Sequence, residues 1–244
     1  MGEAISVRAA GLAQQLAARA RARVATVAEG ADTMVEAVRV RLTALRPNSD
    51  VLAQVAAEVD GRRVRVQRIA ASAGTAMDAL VDGLRERITE STAPWRPRPW
   101  PPRAPEADQP IESEGGGLIG RVKRPELVWC EPDAAVRTLD AMDYDVHLFV
   151  DPDTEAEAVV YRTGPTGYRL ARTVTGPPPP ARRGLRLPAS LTISPHVAPR
   201  LTAAEALRRL YEARLPFLFY ADPDTGRGRV LYRRFAGDCG LITG

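Results

Sequence analysis

Apolar residues recur with two different periods along the N-terminal part of the chain. In residues 11–28 they return every three or four positions, which predicts an amphipathic helix. Beyond that helix, apolar and polar residues alternate, which is typical of strands with one buried face. The alternation predicts three strands, at residues 34–42, 51–60 and 62–69, with a tight turn at Asp60-Gly61.

A second helix follows these strands. Ser72 is a suitable N-cap, and behind it lies a helical stripe of apolar residues, Met77, Val81, Leu84 and Ile88. With a short first strand at residues 5–8, the order becomes β-α-β-β-β-α. This order predicts an α+β domain of dsRBD-like layout, in which an antiparallel sheet carries both helices on one face.

The strand alternation assigns valines and arginines to opposite faces of that sheet. The helix-covered face would carry Val38, Val40, Val64 and Val66. The open face would carry Arg39, Arg41, Arg63, Arg65 and Gln67. Two interpretations remain open: a solvated surface, or a phosphate-binding surface helped by arginines of the two helices. Those helix arginines are Arg19, Arg21, Arg23, Arg85 and Arg87.

Two proline-rich stretches divide the chain. Residues 93–120 combine proline and glycine without any hydrophobic period, and residues 173–190 contain four consecutive prolines. Both are predicted to be linkers, which are stiff where proline dominates. They separate an N-terminal domain at residues 1–92 from two further blocks at residues 121–172 and 191–244.

These two blocks are copies of one module. A shift of 71 residues aligns residues 147–162 with residues 218–233, including Asp-Pro-Asp-Thr and, further on, Tyr-Arg. Upstream, Pro132 can open a helix in the first copy, and Thr202 with Glu205 can form a capping box in the second. Each copy therefore reads as a small α+β module of strand, helix, hairpin and last strand.

The chemistry of the chain favours binding over catalysis. The Asp-Pro-Asp-Thr segments at Asp151 and Asp222 lie between apolar runs, where Asp and Pro are typical of turns. The regular carboxylate alternation of a calcium loop is missing from them. The two histidines, His147 and His196, fall in different copies, and no nucleotide-binding or nucleophile motif is present. We predict a protein that is not an enzyme, with no catalytic residue, no metal, no cofactor and no small-molecule substrate.

The charge of the chain and its lack of targeting signals bear on its partners and its location. The net charge is only +4, and Lys123 is the one lysine, so the positive charge is almost entirely guanidinium. The start of the chain lacks the apolar core of a signal peptide, and no stretch is long and apolar enough to cross a membrane. The sequence therefore predicts a cytoplasmic protein without a membrane partner.

The second copy resembles a known family. Its segment LPFLFYADPDTGRGRVLYRRFAGDCGLIT closely resembles the C-terminal domain of long hibernation-promoting factors, and the first copy is similar. The N-terminal order resembles the ribosome-binding domain of the same family, related to the S30AE and sigma-54 modulation proteins. The whole organisation looks closest to the actinobacterial, hypoxia-associated, RafH-like branch of that family.

The resemblance implies binding to the small (30S) subunit of the 70S ribosome, with 16S rRNA as the contacted partner. The N-terminal domain would then occupy the path of mRNA and tRNA and repress translation in non-growing cells. On this interpretation the candidate RNA-binding residues are the nine arginines of the N-terminal domain: Arg19, Arg21, Arg23, Arg39, Arg41, Arg63, Arg65, Arg85 and Arg87.

The duplicated module sets this chain apart from typical long factors, which carry one copy and pair it with a copy on another ribosome. A tethered second copy is present at an effective concentration of about millimolar, so the two modules should pair with each other. Such an intramolecular pseudo-dimer would cap single 70S ribosomes. The candidate pairing residues are Phe149, Tyr161, Phe219 and Tyr232. The alternative hypothesis is a regulatory protein whose paired modules grip a protein partner.

Overall fold

The computed structural model describes residues 5–12, 14–45, 50–96, 118–164, 167–175, 191–235 and 237–244. Most of the two predicted linkers, residues 93–120 and 173–190, lies outside the described residues. The chain divides into two compact units, one comprising Met1–Trp95 with Ala141–Asp143 and the other comprising Arg96–Asp140 with Tyr144–Gly244. The two units are described separately below.

The N-terminal domain contains four strands and two helices in the predicted order. Strand β1 is followed by helix α1, three strands and helix α2, and the sheet order is β1-β2-β3-β4. The elements are β1 Ser6–Ala10, α1 Gln14–Glu29, β2 Val35–Ala44, β3 Val51–Val59, β4 Arg62–Ala70 and α2 Ala73–Thr92. Ser72 caps α2, because its hydroxyl accepts a hydrogen bond from the Thr75 amide at 3.1 Å.

The sheet differs from the prediction in one pairing. Strands β2, β3 and β4 are antiparallel, as predicted, but β1 pairs with β2 in parallel. Because α1 crosses over between β1 and β2, the chain re-enters the sheet in its original direction, as in a βαβ unit. The weak alternation of residues 5–8 did not reveal this direction, although the first strand is present.

The core of this domain lies between the sheet and both helices, as predicted. Val38, Val40, Val64 and Val66 are buried there, and they pack in one cluster with residues of α1 and α2. The helices contribute Ala20, Val24, Val27, Met77, Leu80, Val81, Leu84 and Ile88. The opposite face of the sheet is therefore left uncovered by the helices.

The two C-terminal modules repeat the same elements at a constant offset of 71 residues. Module 1 (residues 121–172) begins within β5, and module 2 (residues 191–244) begins with β9. The elements before and in module 1 are β5 Ile119–Lys123, α3 Pro132–Ala141, β6 Val146–Asp151, β7 Ala156–Thr163 and β8 Gly167–Arg172. Those of module 2 are β9 Leu191–Ile193, α4 Ala203–Glu212, β10 Phe217–Ala221, β11 Gly228–Arg233 and β12 Cys239–Thr243.

The modules exchange their leading strands. One sheet has the order β6-β7-β8-β9, so the first strand of module 2 completes the sheet of module 1. The other has the order β10-β11-β12-β5, so the strand that leads into module 1 completes the sheet of module 2. Both exchanged strands pair in parallel. The sequence did not reveal the exchange, because two copies of one module offer equivalent edges to either leading strand.

Candidate functional site

The open face of the N-terminal sheet carries a row of polar and basic side chains. Arg8 lies opposite Arg41, Arg41 lies opposite Gln54, and Gln54 lies opposite Gln67, so this row crosses all four strands. The amide of Gln54 donates to the side-chain carbonyl of Gln67 at 2.6 Å. Because Arg8 and Arg41 are exposed, the row offers guanidinium groups on two neighbouring strands.

A second row lies beside it and also carries arginine. Arg39 lies opposite Ala56, which in turn lies opposite Arg65. Arg39 is exposed, whereas Arg65 is half-buried. The guanidinium of Arg65 donates to the backbone carbonyl of Asp143 at 3.0 Å, so Arg39 is the more accessible of the two. Planar guanidinium groups suit phosphate because they bind its oxygens two at a time.

Acidic side chains reduce the positive charge at one end of this open face. Arg63 lies opposite Glu58, and Glu58 lies opposite Glu36. All three are at least partly exposed. The part of the face around Arg39 and Arg41 is therefore more suitable for an anionic partner than the part around Arg63.

The helix arginines form a different surface. Arg19, Arg21 and Arg23 on α1 and Arg85 on α2 are exposed, but both helices cover the opposite face of the sheet. Arg23 pairs with Asp78 at 2.6 Å and Arg85 with Asp82 at 2.8 Å, so carboxylates already balance part of this charge. The predicted arginines thus lie on two surfaces of the domain and not on one.

Arg87 does not lie on either surface. Its side chain is 5% exposed, and its guanidinium pairs with Glu90 at 2.7 Å. The residue is one of the buried residues of α2, and its spacing of three residues from Leu84 places the two on neighbouring parts of the helix surface. A buried, paired guanidinium is a poor phosphate ligand, and we drop Arg87 from the candidate RNA-binding set.

The sheets of the two modules pack face to face. Leu148 and Val159 of module 1 share one buried cluster with Phe219, Ala221 and Val230 of module 2. At its border Tyr161 meets Phe217 edge to face, with ring centroids 5.5 Å apart. The modules are therefore joined by a common core as well as by the exchanged strands.

The four predicted pairing residues have different places. Phe219 lies in the shared cluster, and Tyr161 packs against its border. Tyr232 is half-buried, and its ring lies 5.3 Å from the amino group of Lys123 on the exchanged strand β5. Phe149 is fully buried, and since its neighbour Leu148 joins the shared cluster, the strand alternation places Phe149 on the other face of β6.

Buried ionic groups in module 1 were missed from the sequence. Arg162 pairs with Asp140 at 2.6 Å, and the Tyr168 hydroxyl donates to Asp140, also at 2.6 Å. Burial and this hydrogen bond raise the pKa of Tyr168 well above its ordinary value. Charged residues at otherwise apolar positions of α3 and β7 were the available signal.

The Asp-Pro-Asp-Thr segments form turns, as predicted. The carboxylate of Asp151 accepts from the Asp153 amide at 3.1 Å, and that of Asp222 accepts from the Thr225 amide at 2.9 Å. Within the described ranges, no group of three or more His, Cys, Asp or Glu is placed to hold a metal ion. None of the helices in the described part of the chain is long and apolar enough to span a membrane.

Comparison with known proteins places the chain. Residues 116–170 match the family model for the sigma 54 modulation/S30EA ribosomal protein C terminus. A dormancy associated translation inhibitor of Mycobacterium tuberculosis (strain H37Rv) is 40% identical over 210 residues, which cover 84% of this chain and 75% of the relative. The chain belongs to the long-type ribosome hibernation factor family. The same identity and coverage hold for the protein of strain CDC 1551.

The matched segment has a counterpart later in this hibernation factor. It ends in β8, and the equivalent segment at an offset of 71 residues ends in β12. A solved structure, the N-terminal domain of Protein Y from Thermus thermophilus, is 18% identical and covers 37% of this chain and 99% of its own length, with a TM-score of 0.32.

Proposed function

We propose that this hibernation factor binds the small subunit of 70S ribosomes in the cytoplasm through 16S rRNA and represses translation in non-growing cells. The observation that carries the proposal is the 40% identity to a relative named a dormancy associated translation inhibitor. The N-terminal domain occupies the path of mRNA and tRNA, so inhibition is steric and needs no chemistry, cofactor or metal.

The open sheet face supplies the RNA contact in this proposal. Arg39 and Arg41 are exposed on a face without helix cover, and the half-buried Arg65 lies in the row of Arg39. Guanidinium groups that replace counterions on RNA phosphates make affinity fall steeply with salt. Arg19, Arg21, Arg23 and Arg85 are proposed as a second contact surface, on the helix side of the domain, and Arg63 as a peripheral contact.

Co-sedimentation with 30S subunits tests this proposal. The variant Arg39→Glu/Arg41→Glu should lose binding while its circular dichroism stays native, because both side chains point into solvent. The slope of log affinity against log salt should become shallower by about 2, at roughly 0.9 for each lost phosphate contact. The same charge change at the exposed Arg208 and Arg209 of α4 serves as the control. Unchanged binding of the Arg39/Arg41 variant contradicts the proposed contact.

We further propose that the two modules stay paired within one chain and leave each ribosome as a single 70S particle. The exchanged strands and the shared cluster support this proposal, since both involve two modules of the same chain. A module whose sheet face is already covered has no free face for a module on a second ribosome.

Removal of residues 1–92 separates this function from the alternative, a regulatory protein that grips a protein partner. Under the ribosome proposal the shortened chain no longer co-sediments with ribosomes. Under the alternative, partner binding survives the deletion, because the paired modules are intact.

A further inference from the structure

The two modules meet at equivalent positions, Glu157 on β7 and Gly228 on β11. Gly228 follows Glu157 by the 71 residues that relate the modules. A Cβ atom built on Gly228 would lie 2.7 Å from the Cβ of Glu157, 3.0 Å from Cε2 of Phe219 and 3.2 Å from Cγ2 of Thr173. Equivalent positions touch each other only on the axis of a two-fold pair. Glu157 and Gly228 therefore mark the pseudo-two-fold axis of the module pair.

Close neighbouring atoms, and not the backbone conformation, require glycine at position 228. Gly228 is absent from the glycines with positive φ, so its backbone would accept an ordinary side chain. Carbon atoms in contact do not approach to 2.7 Å, and an added Cβ would force the β7 and β11 strands apart. The space that module 2 leaves at the axis is filled by the side chain of module 1.

The charges at this contact also differ between the two modules. Nε of Arg227 donates to a carboxylate oxygen of Glu157 at 2.6 Å, and the Glu157 side chain is 13% exposed. The residue of module 1 equivalent to Arg227 is Ala156, so the reciprocal ion pair is impossible. The ring contact between Tyr161 and Phe217 also has no reciprocal counterpart, because the equivalent residues are Tyr232 and Val146 and valine has no ring.

We infer that Glu157 and Gly228 form a steric key that fits module 1 to module 2 of the same chain and rejects pairing between like modules. Two copies of module 1 would bring Glu157 against Glu157, with overlapping Cβ atoms and two carboxylates that have no Arg227 between them. Two copies of module 2 would bring Gly228 against Gly228, leaving a gap and two facing guanidinium groups. The inference deepens the proposed pairing within one chain and does not depend on ribosome binding.

Full-length variants of the purified protein test the key without ribosomes. Gly228→Glu places a glutamate at both axis positions, and overpacking should lower the thermal unfolding midpoint by on the order of 5 °C. The reversed pair Glu157→Gly/Gly228→Glu restores one large and one small residue at the axis and should recover part of that loss. The rest stays lost, because the ion pair of Arg227 with Glu157 is gone and Phe219 and Thr173 still lie close to the new Cβ. Sedimentation velocity should show concentration-dependent association for Gly228→Glu, whose sheet faces separate, and a monomer for the reversed pair.

Three outcomes overturn the inference. The first is a Gly228→Glu variant as stable as the native chain, the second is a reversed pair no more stable than Gly228→Glu, and the third concerns a control variant. Gly240→Ala is the matched control, since an added methyl on this buried strand glycine meets Tyr232 of its own module. Glu157→Gly should not recover the stability that Gly240→Ala loses, and equal recovery of both glycine variants would also overturn the inference.

Discussion

Modules 1 and 2 have the same helix and strands at a constant offset, yet they fill equivalent interior positions with different chemistry. In module 1 the carboxylate of Asp140 pairs with Arg162 and accepts from Tyr168. The positions equivalent to these three residues in module 2 are Tyr211, Arg233 and Cys239. Only the arginine is common to both modules.

In module 2 the arginine contacts an aromatic ring in place of a carboxylate. The guanidinium carbon of Arg233 lies 4.9 Å from the centre of the Tyr211 ring, and the Cys239 thiol lies 3.5 Å from the Tyr211 hydroxyl. A cation on an aromatic face tolerates partial hydration, whereas a buried ion pair depends on both partners. The comparison shows that the same arginine position can be stabilised by a carboxylate or by an aromatic ring, and that the two arrangements should differ in their sensitivity to mutation.

Loss of the carboxylate in module 1 should have the largest effect. The side chains of Asp140 and Arg162 are 3% and 6% exposed, so Asp140→Ala leaves a buried guanidinium without its carboxylate. We expect a loss of about 3–5 kcal/mol in the free energy of unfolding, measured by urea denaturation. Tyr211→Phe, at the equivalent position, keeps the ring and should cost less than about 1 kcal/mol. Equal losses in the two variants would remove the distinction between the modules.

The two Asp-Pro-Asp-Thr turns provide the second test. Asp151 pairs with Arg172 at 2.7 Å, with side chains 0% and 5% exposed, whereas Asp222 pairs with Arg229 at 2.8 Å, with side chains 9% and 26% exposed. Asp222→Ala removes two turn hydrogen bonds, from the amide and the hydroxyl of Thr225, whereas Asp151→Ala removes the one from the Asp153 amide. A larger loss at Asp151 would therefore come from the deeper burial of its ion pair. Asp151→Ala should cost about 1–3 kcal/mol more than Asp222→Ala in urea denaturation. A larger loss from Asp222→Ala would contradict this assignment.

The helix starts differ in a smaller way. Thr202 accepts from the Glu205 amide at 3.3 Å while the Glu205 carboxylate accepts from the Thr202 amide at 2.8 Å, which confirms the predicted capping box of α4. The equivalent helix of module 1 begins at Pro132. Thr202→Ala should cost about 1 kcal/mol in thermal unfolding, and Thr202→Ser, which keeps the hydroxyl, should cost much less. Equal losses would show that the cap does not contribute.

Module 2 should also carry the smallest effect, an acid sensitivity. Hydrogen bonds from Thr225 lower the pKa of Asp222, and hydrogen bonds from Thr202 lower the pKa of Glu205. A carboxyl with a lowered pKa in the folded state stabilises fully above its ordinary pKa and loses that contribution as pH falls through the lowered value. The thermal unfolding temperature should therefore decrease as the pH is lowered below about 4. The double variant Asp222→Asn/Glu205→Gln should make that decrease less steep. An unchanged slope in the double variant contradicts the assignment.

The periodic parts of the molecule could be predicted from the sequence, and the reasons for the failures are specific. Alternation placed Val38 and Arg39 on opposite faces correctly, because one face of that sheet is uncovered. In β6 both faces are covered, so the alternation is lost and Phe149 could not be told from Leu148. The key at Glu157 and Gly228 depends on contact between modules, which no local pattern encodes.

Sedimentation of purified 70S ribosomes with the full-length protein tests most directly whether the module pair stays within one chain. We predict that the protein migrates with the 70S peak and that no 100S peak forms at any ratio of protein to ribosomes. A protein-dependent 100S peak, with modules of two chains joining two ribosomes, would contradict the account.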